Sequence, residues 1–500
     1  MIKNPVKAEE LAASERINDF SEVVLGYDQA QATEEARRCL QCKNPVCIAG
    51  CPVGIDIKKF IFQISEKDYR AAYLTIKEKN NFPSMCGRVC PAEYQCRKAC
   101  VMTKKGLPFA SENTINIHFL ERFAGDWGMR LSLRGVPPKA GDEAISSGEI
   151  ACLAGRQVSR PLGARNDVIG KKVAVVGSGP AGLCCAGELA RAGIKVVMFE
   201  SLHKTGGVLR YGIPTFRLPQ DVLDFEINYL KKLGVEIRTN TVIGKTKTLD
   251  ELLNEGFSCV FLGLGAGTPS FLGVPGENLC NVYSANEFLT RVNLMGASKF
   301  PRCHTPINIG KRIVVIGGGN TAMDASRVAL RLQKMNNIPP DVTVFYRRTE
   351  KEMPARRPEI EHAGEEGIKF EFLVQPVGFA RGREGRLEKI KALRCKLGEP
   401  DSSGRRRPVP VEGSTFERAC DVAVVAVGLG ANRVLTKATP EINIDKWGDV
   451  PVNTETMETS MRRVYAGGDI VGGEGTVIEA MGMAKKASAA IIKYLSESAE

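Results

Sequence analysis

Apolar positions recur at helical spacing, with few Gly or Pro, over 31–41, 57–80 and 112–124. Residues 1–125 are therefore predicted to form a helical domain. From 126 to 170 the periodicity gives way to Gly, Pro, Ser and Arg, the composition of a linker laid over a surface. Beyond 170, short apolar runs alternate with helical patterns to the end of the chain, a βαβ rhythm. The runs are Lys172–Val176, Lys195–Phe199, Cys259–Leu264, Arg312–Ile316, Val342–Tyr346, Val422–Val427 and Val464–Gly468. The 500 residues exceed one ordinary core, and roughly two to four domains are expected.

Two runs open the same device. Lys172–Val176 leads into Gly177-Ser178-Gly179-Pro180-Ala181-Gly182 and a helix to Arg191, and the next strand ends at Glu200. The first glycine permits the tight turn, the second lets a pyrophosphate approach the backbone, and the third allows close helix–strand packing. The helix start then faces the phosphates, and Glu200 is placed to accept from a ribose hydroxyl. Arg312–Ile316 leads likewise into Gly317-Gly318-Gly319-Asn320-Thr321-Ala322 and a helix to Leu332, with Ala in place of the third glycine. Its second strand ends not at an acid but at Arg347 and Arg348, with Arg356 and Arg357 soon after. Arginines suit a 2′-phosphate that an acid would repel, so this unit is expected to take NADP(H). The competing reading is a solvated basic turn. The runs at 259–264 and 422–427 end in Gly263-Leu264-Gly265 and Gly428-Leu429-Gly430, where the chain is expected to pass between the two dinucleotide domains. Asp469 and the helix opened by Gly475-Thr476-Val477 could hold a ribitol hydroxyl and face a flavin's pyrimidine end.

Cysteine changes the picture of the first domain. Eight of the sixteen lie in two runs, Cys39-x2-Cys42-x4-Cys47-x3-Cys51-Pro52 and Cys86-x3-Cys90-Pro91-x4-Cys96-x3-Cys100. A short loop bearing a Cys-x2-Cys pair and a Cys-Pro wraps thiolates around a [4Fe–4S] cube. The chain opens MIKNPVKAEE, without an apolar signal core, and has no run of ~18 apolar residues. A disulfide framework is therefore not expected, and the chain is read as cytoplasmic, without membrane association. The other eight cysteines are scattered, and no Cys-x2-Cys follows residue 170. The formal charge of +12 suits either an acidic partner or an ordinary basic surface. No basic helix or basic-aromatic stripe points to nucleic acid.

The order of these segments, twin cysteine runs, GSGPAG, GGGNTAMD with YRR, then YAGGDIVGG, resembles the glutamate synthase small (β) subunit family, which includes the N-terminal half of dihydropyrimidine dehydrogenase. LHKTGGVLRYGIPTFRLP at 202–219, VYSANEFLTRVNLM at 282–295 and GRRRPVPVEGS at 404–414 are most similar to one branch. That branch is the large subunit of NADH-dependent reduced ferredoxin:NADP oxidoreductase, an electron-bifurcating transhydrogenase, with the sulfide dehydrogenase α subunit close by. The resemblance covers 30–125 and 170–498. It departs at 126–170, which is long for the family, and at Lys334–Asp341, which reads as an insertion.

The resemblance implies an α/β fold: a helical twin-[4Fe–4S] domain (1–125), a linker (126–170), and an FAD domain in two parts (171–305 and 425–500) with an NADP(H) domain (306–424) inserted. It implies one cluster on Cys39, Cys42, Cys47 and Cys100. A second would sit on Cys51, Cys90, Cys96 and Glu121, leaving Cys86 spare; ligation by all eight cysteines, with Cys86 in and Glu121 out, stays open. FAD would touch Gly207, Val208, Leu209 and Arg217, and be completed by Asp469, Gly475, Thr476 and Val477. Arg347, Arg348 and Arg356 would hold the 2′-phosphate. The flavin does the chemistry, so no catalytic side chain is expected. The implied partners are ferredoxin and a small flavin and iron–sulfur subunit that passes electrons to NAD. The alternatives are a large FMN-bearing glutamate synthase subunit and a hydrogenase-type assembly in which the chain is an electron relay.

Overall fold

The structure is a computed structural model that describes residues 4–107, 109–134, 170–401, 403–473 and 475–497. The N-terminal domain is built of short helices whose first turns are capped by aspartates. Asp28, Asp56 and Asp68 each accept a backbone N–H at the starts of Gln29–Arg37, Ile57–Ser65 and Tyr69–Lys77. The stretch 57–80, continuous in its spacing, is thus two helices. Lys67 turns the chain with φ +62° and Asp68 starts it again.

The helix expected over 112–124 begins at Ile117 and runs to Arg134, past the point where the linker was placed. Gly125 and Gly128 hide its continuation in the sequence. A Cβ at Gly125 would lie 2.6 Å from Ser84 N, and one at Gly128 2.6 Å from the Tyr73 ring. They are the contact points of crossing helices, not breaks. The remainder of the expected linker, 135–169, lies outside the described residues.

Strands are numbered in chain order. β1 (Glu9–Glu10) and β2 (Val24–Gly26) make a small antiparallel pair. The first nucleotide unit is a five-stranded parallel sheet. Its strands are β3 (Lys172–Val176), β4 (Lys195–Phe199), β5 (Glu236–Arg238), β6 (Cys259–Leu262) and a last one, β18 (Val464–Ala466), in the order β18-β6-β3-β4-β5. Its central strands are apolar on both faces, as helices on both sides require.

The second unit holds β8 (Val282–Ser284), β9 (Ile313–Ile316), β10 (Val342–Tyr346), β11 (Lys369–Phe372) and β16 (Val422–Val425), in the order β11-β10-β9-β16-β8. Its boundary therefore lies ahead of residue 306, where the sequence placed it. β8 escapes an apolar-run reading because only Tyr283 of its three residues is buried. A third sheet of β12 (Val374–Arg381), β13 (Leu387–Pro400), β14 (Arg406–Pro410) and β15 (Phe416–Ala419) projects from this unit. β7 (Ala266–Pro269) pairs antiparallel with β17 (Leu429–Ala431), so the chain leaves and re-enters the first unit side by side. The second unit is thereby an insertion in the first.

One apolar core joins the cysteine-bearing domain to the first unit. Phe60, Ile61, Ile64 and Phe82 pack into the same cluster as Leu183, Leu189, Met481 and Ile491. Each such side chain contributes about 1.5–3 kcal/mol by burial. The long C-terminal helix Val477–Glu497 is the shared element, and Gly482 on it abuts Pro52, where a Cβ would meet Pro52 O at 2.9 Å. Among the described residues, no helix is long and apolar enough to cross a membrane.

Candidate functional site

The structure gathers the cysteines of the two runs into two groups. Cys39, Cys42, Cys47 and Cys100 line one small cavity with Leu40, Val46, Val101 and Ile115. Burial pushes the Cys47 thiol up to about 12, and the neighbouring Cys100 and Cys39 thiols add to it. Buried thiols of this kind stay protonated by themselves; iron, which takes thiolates, reverses that preference. Among the described residues no three His, Cys, Asp or Glu side chains converge tightly enough for a single metal ion. Four thiols around one cavity match the ligand number of a [4Fe–4S] cube.

After burial itself, the Glu121 charge raises the Cys51, Cys86, Cys90 and Cys96 thiols further, so these four lie near its carboxylate. Glu121 is buried and makes no ion pair among the described residues; its carboxylate accepts from Asn80 Nδ2 at 2.7 Å. Burial pushes its carboxyl up to about 8, against that hydrogen bond. A buried acid without a cation is costly, and an iron ion would supply one. Cys86 also neighbours Glu121, but its sulfur rests 3.6 Å from Met481 Sδ and 3.7 Å from Asn80 Oδ1. Cys47 and Cys96 stand near enough to influence one another, so the two groups are neighbours.

In the first nucleotide unit, Gly177 has φ +98° and a Cβ there would lie 2.3 Å from Gly263 O. A Cβ on Gly182 would lie 1.9 Å from Gly177 O. Gly179 differs, because nothing stands within 4 Å of its Cβ direction. It caps the helix Pro180–Arg191, which begins Pro180-Ala181, so its open backbone and the first free N–H groups share one opening. Gly207 folds onto the flank of that opening with φ +53°, its Cβ direction 2.7 Å from Gly179 Cα, and Val208 and Leu209 follow it into a short helix. The second unit repeats the arrangement. Gly317 and Gly318 are closed off by Ala426 O and the Tyr346 ring, whereas Gly319 is open to 4.0 Å. Gly319 caps Asn320–Met335, with Asn320 and Thr321 exposed at the start. Gly428, with φ +116°, lies where the chain re-enters the first unit and accepts from Ser270 N at 3.0 Å.

Glu200 is buried at the end of β4. It accepts from Ser178 N at 3.0 Å, from Ser178 Oγ and from Leu202 N at 2.8 Å, so it fixes the residue between the two glycines. Asp469 opens a short helix and accepts from Gly475 N at 3.2 Å. Burial pushes the Tyr211 phenol up to about 12, with the Glu200 and Asp469 charges adding. Thr476 caps the helix that starts at Val477: its N–H donates to Glu479 Oε2 at 2.8 Å and its Oγ1 accepts from Glu479 N at 3.3 Å. The same Oγ1 lies 3.2 Å from Gln95 Nε2, and the Cys90 thiol lies 3.3 Å from Gln95 Oε1. Sequence reasoning missed Gln95, which no local pattern marks.

Three of the arginines expected at the cofactors have protein partners in this structure. Arg217, placed at the flavin, is buried against the second unit. Its Nη1 lies 2.9 and 2.7 Å from the Asp324 oxygens and its Nε 2.9 Å from Glu359 Oε1. Arg356, placed at the 2′-phosphate, donates to Glu93 at 2.8 and 3.1 Å, between Cys90 and Cys96. Arg348 is buried and braces the β13–β14 hairpin through Arg406 O at 2.7 Å and Asp401 Oδ2 at 2.6 Å. In each case a partner remote in sequence took the guanidinium. Arg347 is exposed at the end of β10 and makes no ion pair among the described residues.

Residues 16–132 match the family model described as dihydropyrimidine dehydrogenase domain II, 4Fe-4S cluster. Residues 171–487 match that of pyridine nucleotide-disulphide oxidoreductase. The chain is 33% identical to the glutamate synthase [NADPH] small chain of Escherichia coli (strain K12), over 95% of this chain and 94% of that one. It is 36% identical to the NADP(+)-dependent formate dehydrogenase subunit beta of Moorella thermoacetica, over 90% of this chain and 60% of that one. It is 34% identical to the NADPH-Fe(3+) oxidoreductase subunit beta of Geobacter sulfurreducens (strain ATCC 51573 / DSM 12127 / PCA), over 96% of this chain and 68% of that one. Among solved structures, Mycobacterium tuberculosis FprA in complex with NADPH superposes with a TM-score of 0.55 at 22% identity, over 66% of this chain and 85% of that one, a likeness of fold.

Proposed function

Because the chain belongs to the glutamate synthase small-subunit family of FAD-, NADP- and [4Fe–4S]-dependent oxidoreductases, we propose that it is the electron-input subunit of a larger redox enzyme. It takes reducing equivalents from NADPH and passes them singly through two clusters to a partner. The observation that carries this is the Cys90–Gln95–Thr476 contact, which brings the second cysteine group against the helix start at the flavin opening.

FAD supplies the exchange between two-electron nicotinamide chemistry and one-electron iron–sulfur chemistry. The chain's own residues bind and orient. Gly177–Gly182, Glu200, Gly207–Leu209, Asp469 and Gly475–Val477 border the flavin opening. Gly317–Thr321 receive the NADP(H) pyrophosphate and the exposed Arg347 its 2′-phosphate. Cys39, Cys42, Cys47 and Cys100 hold one cluster. Cys51, Cys90, Cys96 and Glu121 hold the other, with Cys86 retained for packing against Met481.

In the reading adopted, the electron pair divides. One electron would pass through the clusters to ferredoxin and the other to the flavin of a small flavin and iron–sulfur partner subunit, which would deliver the pair gathered over two such cycles to NAD⁺. The formal charge of +12 supports an acidic carrier as partner. A glutamate synthase small subunit is the second reading, favoured by the near end-to-end overlap with that chain. A relay subunit of a larger complex is the third, favoured by the formate dehydrogenase relative. Anaerobic purification from the native host followed by native mass spectrometry separates them. A small flavin and iron–sulfur companion is expected. A very large FMN-bearing subunit would overturn bifurcation in favour of glutamate synthase, and other redox subunits would favour the relay.

A further inference from the structure

Arg356 joins the second nucleotide loop to the turn between Cys90 and Cys96. On one side the segment before it lies on the second nucleotide loop: Ala355 N donates to Gly318 O at 3.1 Å and Arg356 N to Asn320 Oδ1 at 2.9 Å. On the other side its guanidinium grips both oxygens of Glu93. Glu93 belongs to the turn Ala92–Tyr94 between Cys90 and Cys96, and that turn is held from outside by Ala110 N donating to Glu93 O at 2.7 Å. Arg356 is 6% exposed and Glu93 9%. The pair is shielded from solvent, where charge acts over distance with little screening. The Arg356 cation also acts on the Cys90 thiol.

We infer that the Arg356–Glu93 pair couples occupancy of the second nucleotide unit to the electron affinity of the cluster on Cys51, Cys90, Cys96 and Glu121. The inference rests on the proposed function. A dinucleotide set down beside Gly319 and Asn320 brings phosphate charge to the Asn320 side chain and the Arg356 N–H. The pair transmits that negative potential to the Cys90–Cys96 turn, where it opposes the addition of an electron. By linkage, the reduced cluster then weakens nucleotide binding by the same factor. Arg356 and Glu93 are positioning residues, acting through the loop and the turn that they hold together.

The test is a potentiometric EPR titration of the full chain carrying FAD and both clusters, with and without 2′-phospho-ADP-ribose, which has the phosphates of NADP and cannot be reduced. In the wild type, saturating ligand is expected to disfavour reduction of one cluster by about threefold or more, about 28 mV for a one-electron centre. Glu93→Gln, which keeps the shape, and Arg356→Lys, which keeps the charge but not the bidentate grip, should each lose more than half of that shift. No shift in the wild type, or an undiminished shift in both variants, would overturn the inference alone. Absence of any [4Fe–4S] signal from wild-type protein would overturn the proposed function as well. If Glu93→Gln loses its clusters, Arg356→Lys decides.

Discussion

Gln95 and Thr476 are 381 positions apart in the chain, and the Nε2 of one lies 3.2 Å from the Oγ1 of the other. The contact fixes the Cys90–Cys96 turn to the start of the C-terminal helix. Gln95→Ala removes a bond worth about 1 kcal/mol. Stopped-flow absorbance should show NADPH reducing the flavin at the wild-type rate, while electron arrival at the clusters slows by roughly fivefold if that energy is felt in the transfer step. Equal slowing of both phases would mean the bond serves the fold only.

Gly179 and Gly182 should fail in opposite ways. Gly179→Ala meets no atom within 4 Å, at φ −72° that any residue adopts. It should fold with stability unchanged to about 0.5 kcal/mol yet retain little FAD, since the methyl occupies the opening. Gly182→Ala drives a Cβ to 1.9 Å from Gly177 O and should lower the melting temperature even in protein stripped of flavin. Thermal melts and flavin content after gel filtration distinguish the two.

These glycines were legible because their spacing is a local property. So were the apolar strands before them and the grouping of Cys39, Cys42 and Cys47 with the distant Cys100, the last only through resemblance. The fates of Arg217, Arg348 and Arg356 were not legible. Each guanidinium is set by an acid or carbonyl on another element, and one-dimensional spacing carries no trace of Asp324, Asp401 or Glu93 as partners. The helix through Gly125 and Gly128 was missed for a related reason: close packing between helices selects the residue that a local reading takes as a break.

Arg347 and Arg348 should separate binding from bracing. Arg347→Ala removes an exposed guanidinium without an ion pair among the described residues and should raise KM for NADPH by roughly tenfold or more, the worth of a charged hydrogen bond, with little change for NADH. Arg348→Ala frees the β13–β14 hairpin and should lower thermal stability. Steady-state kinetics with both nucleotides, set beside melting curves, check the division.

Glu366 should give the second unit an acid-labile step. Burial pushes its carboxyl up, but hydrogen bonds from Arg331 and Arg327 and their charges outweigh that and hold it down at about 2, against an ordinary 4.5. A lowered carboxyl stabilises the fold fully above pH 4.5 and loses that stabilisation as pH falls through 4.5 toward 2. The amount is about 3 kcal/mol. Glu366→Gln leaves buried Arg331 without a carboxylate and removes one of two from buried Arg16 and Arg327, which keep Glu365 and Glu359, and should cost about 3–5 kcal/mol at neutral pH, while flattening the acid limb. Urea titrations at several pH values measure both.

On the proposed function, one chain carries NADPH electrons through flavin to two clusters. Anaerobic titration of the isolated holoprotein with NADPH, followed by optical and EPR spectra, tests it most directly. About eight irons per chain are expected, with bleaching of the flavin by NADPH and the appearance of EPR signals from reduced [4Fe–4S] clusters, one of them altered in Glu121→Cys. Flavin bleaching with no cluster signal, in protein shown to hold its iron and to give that signal with a stronger reductant, would contradict it.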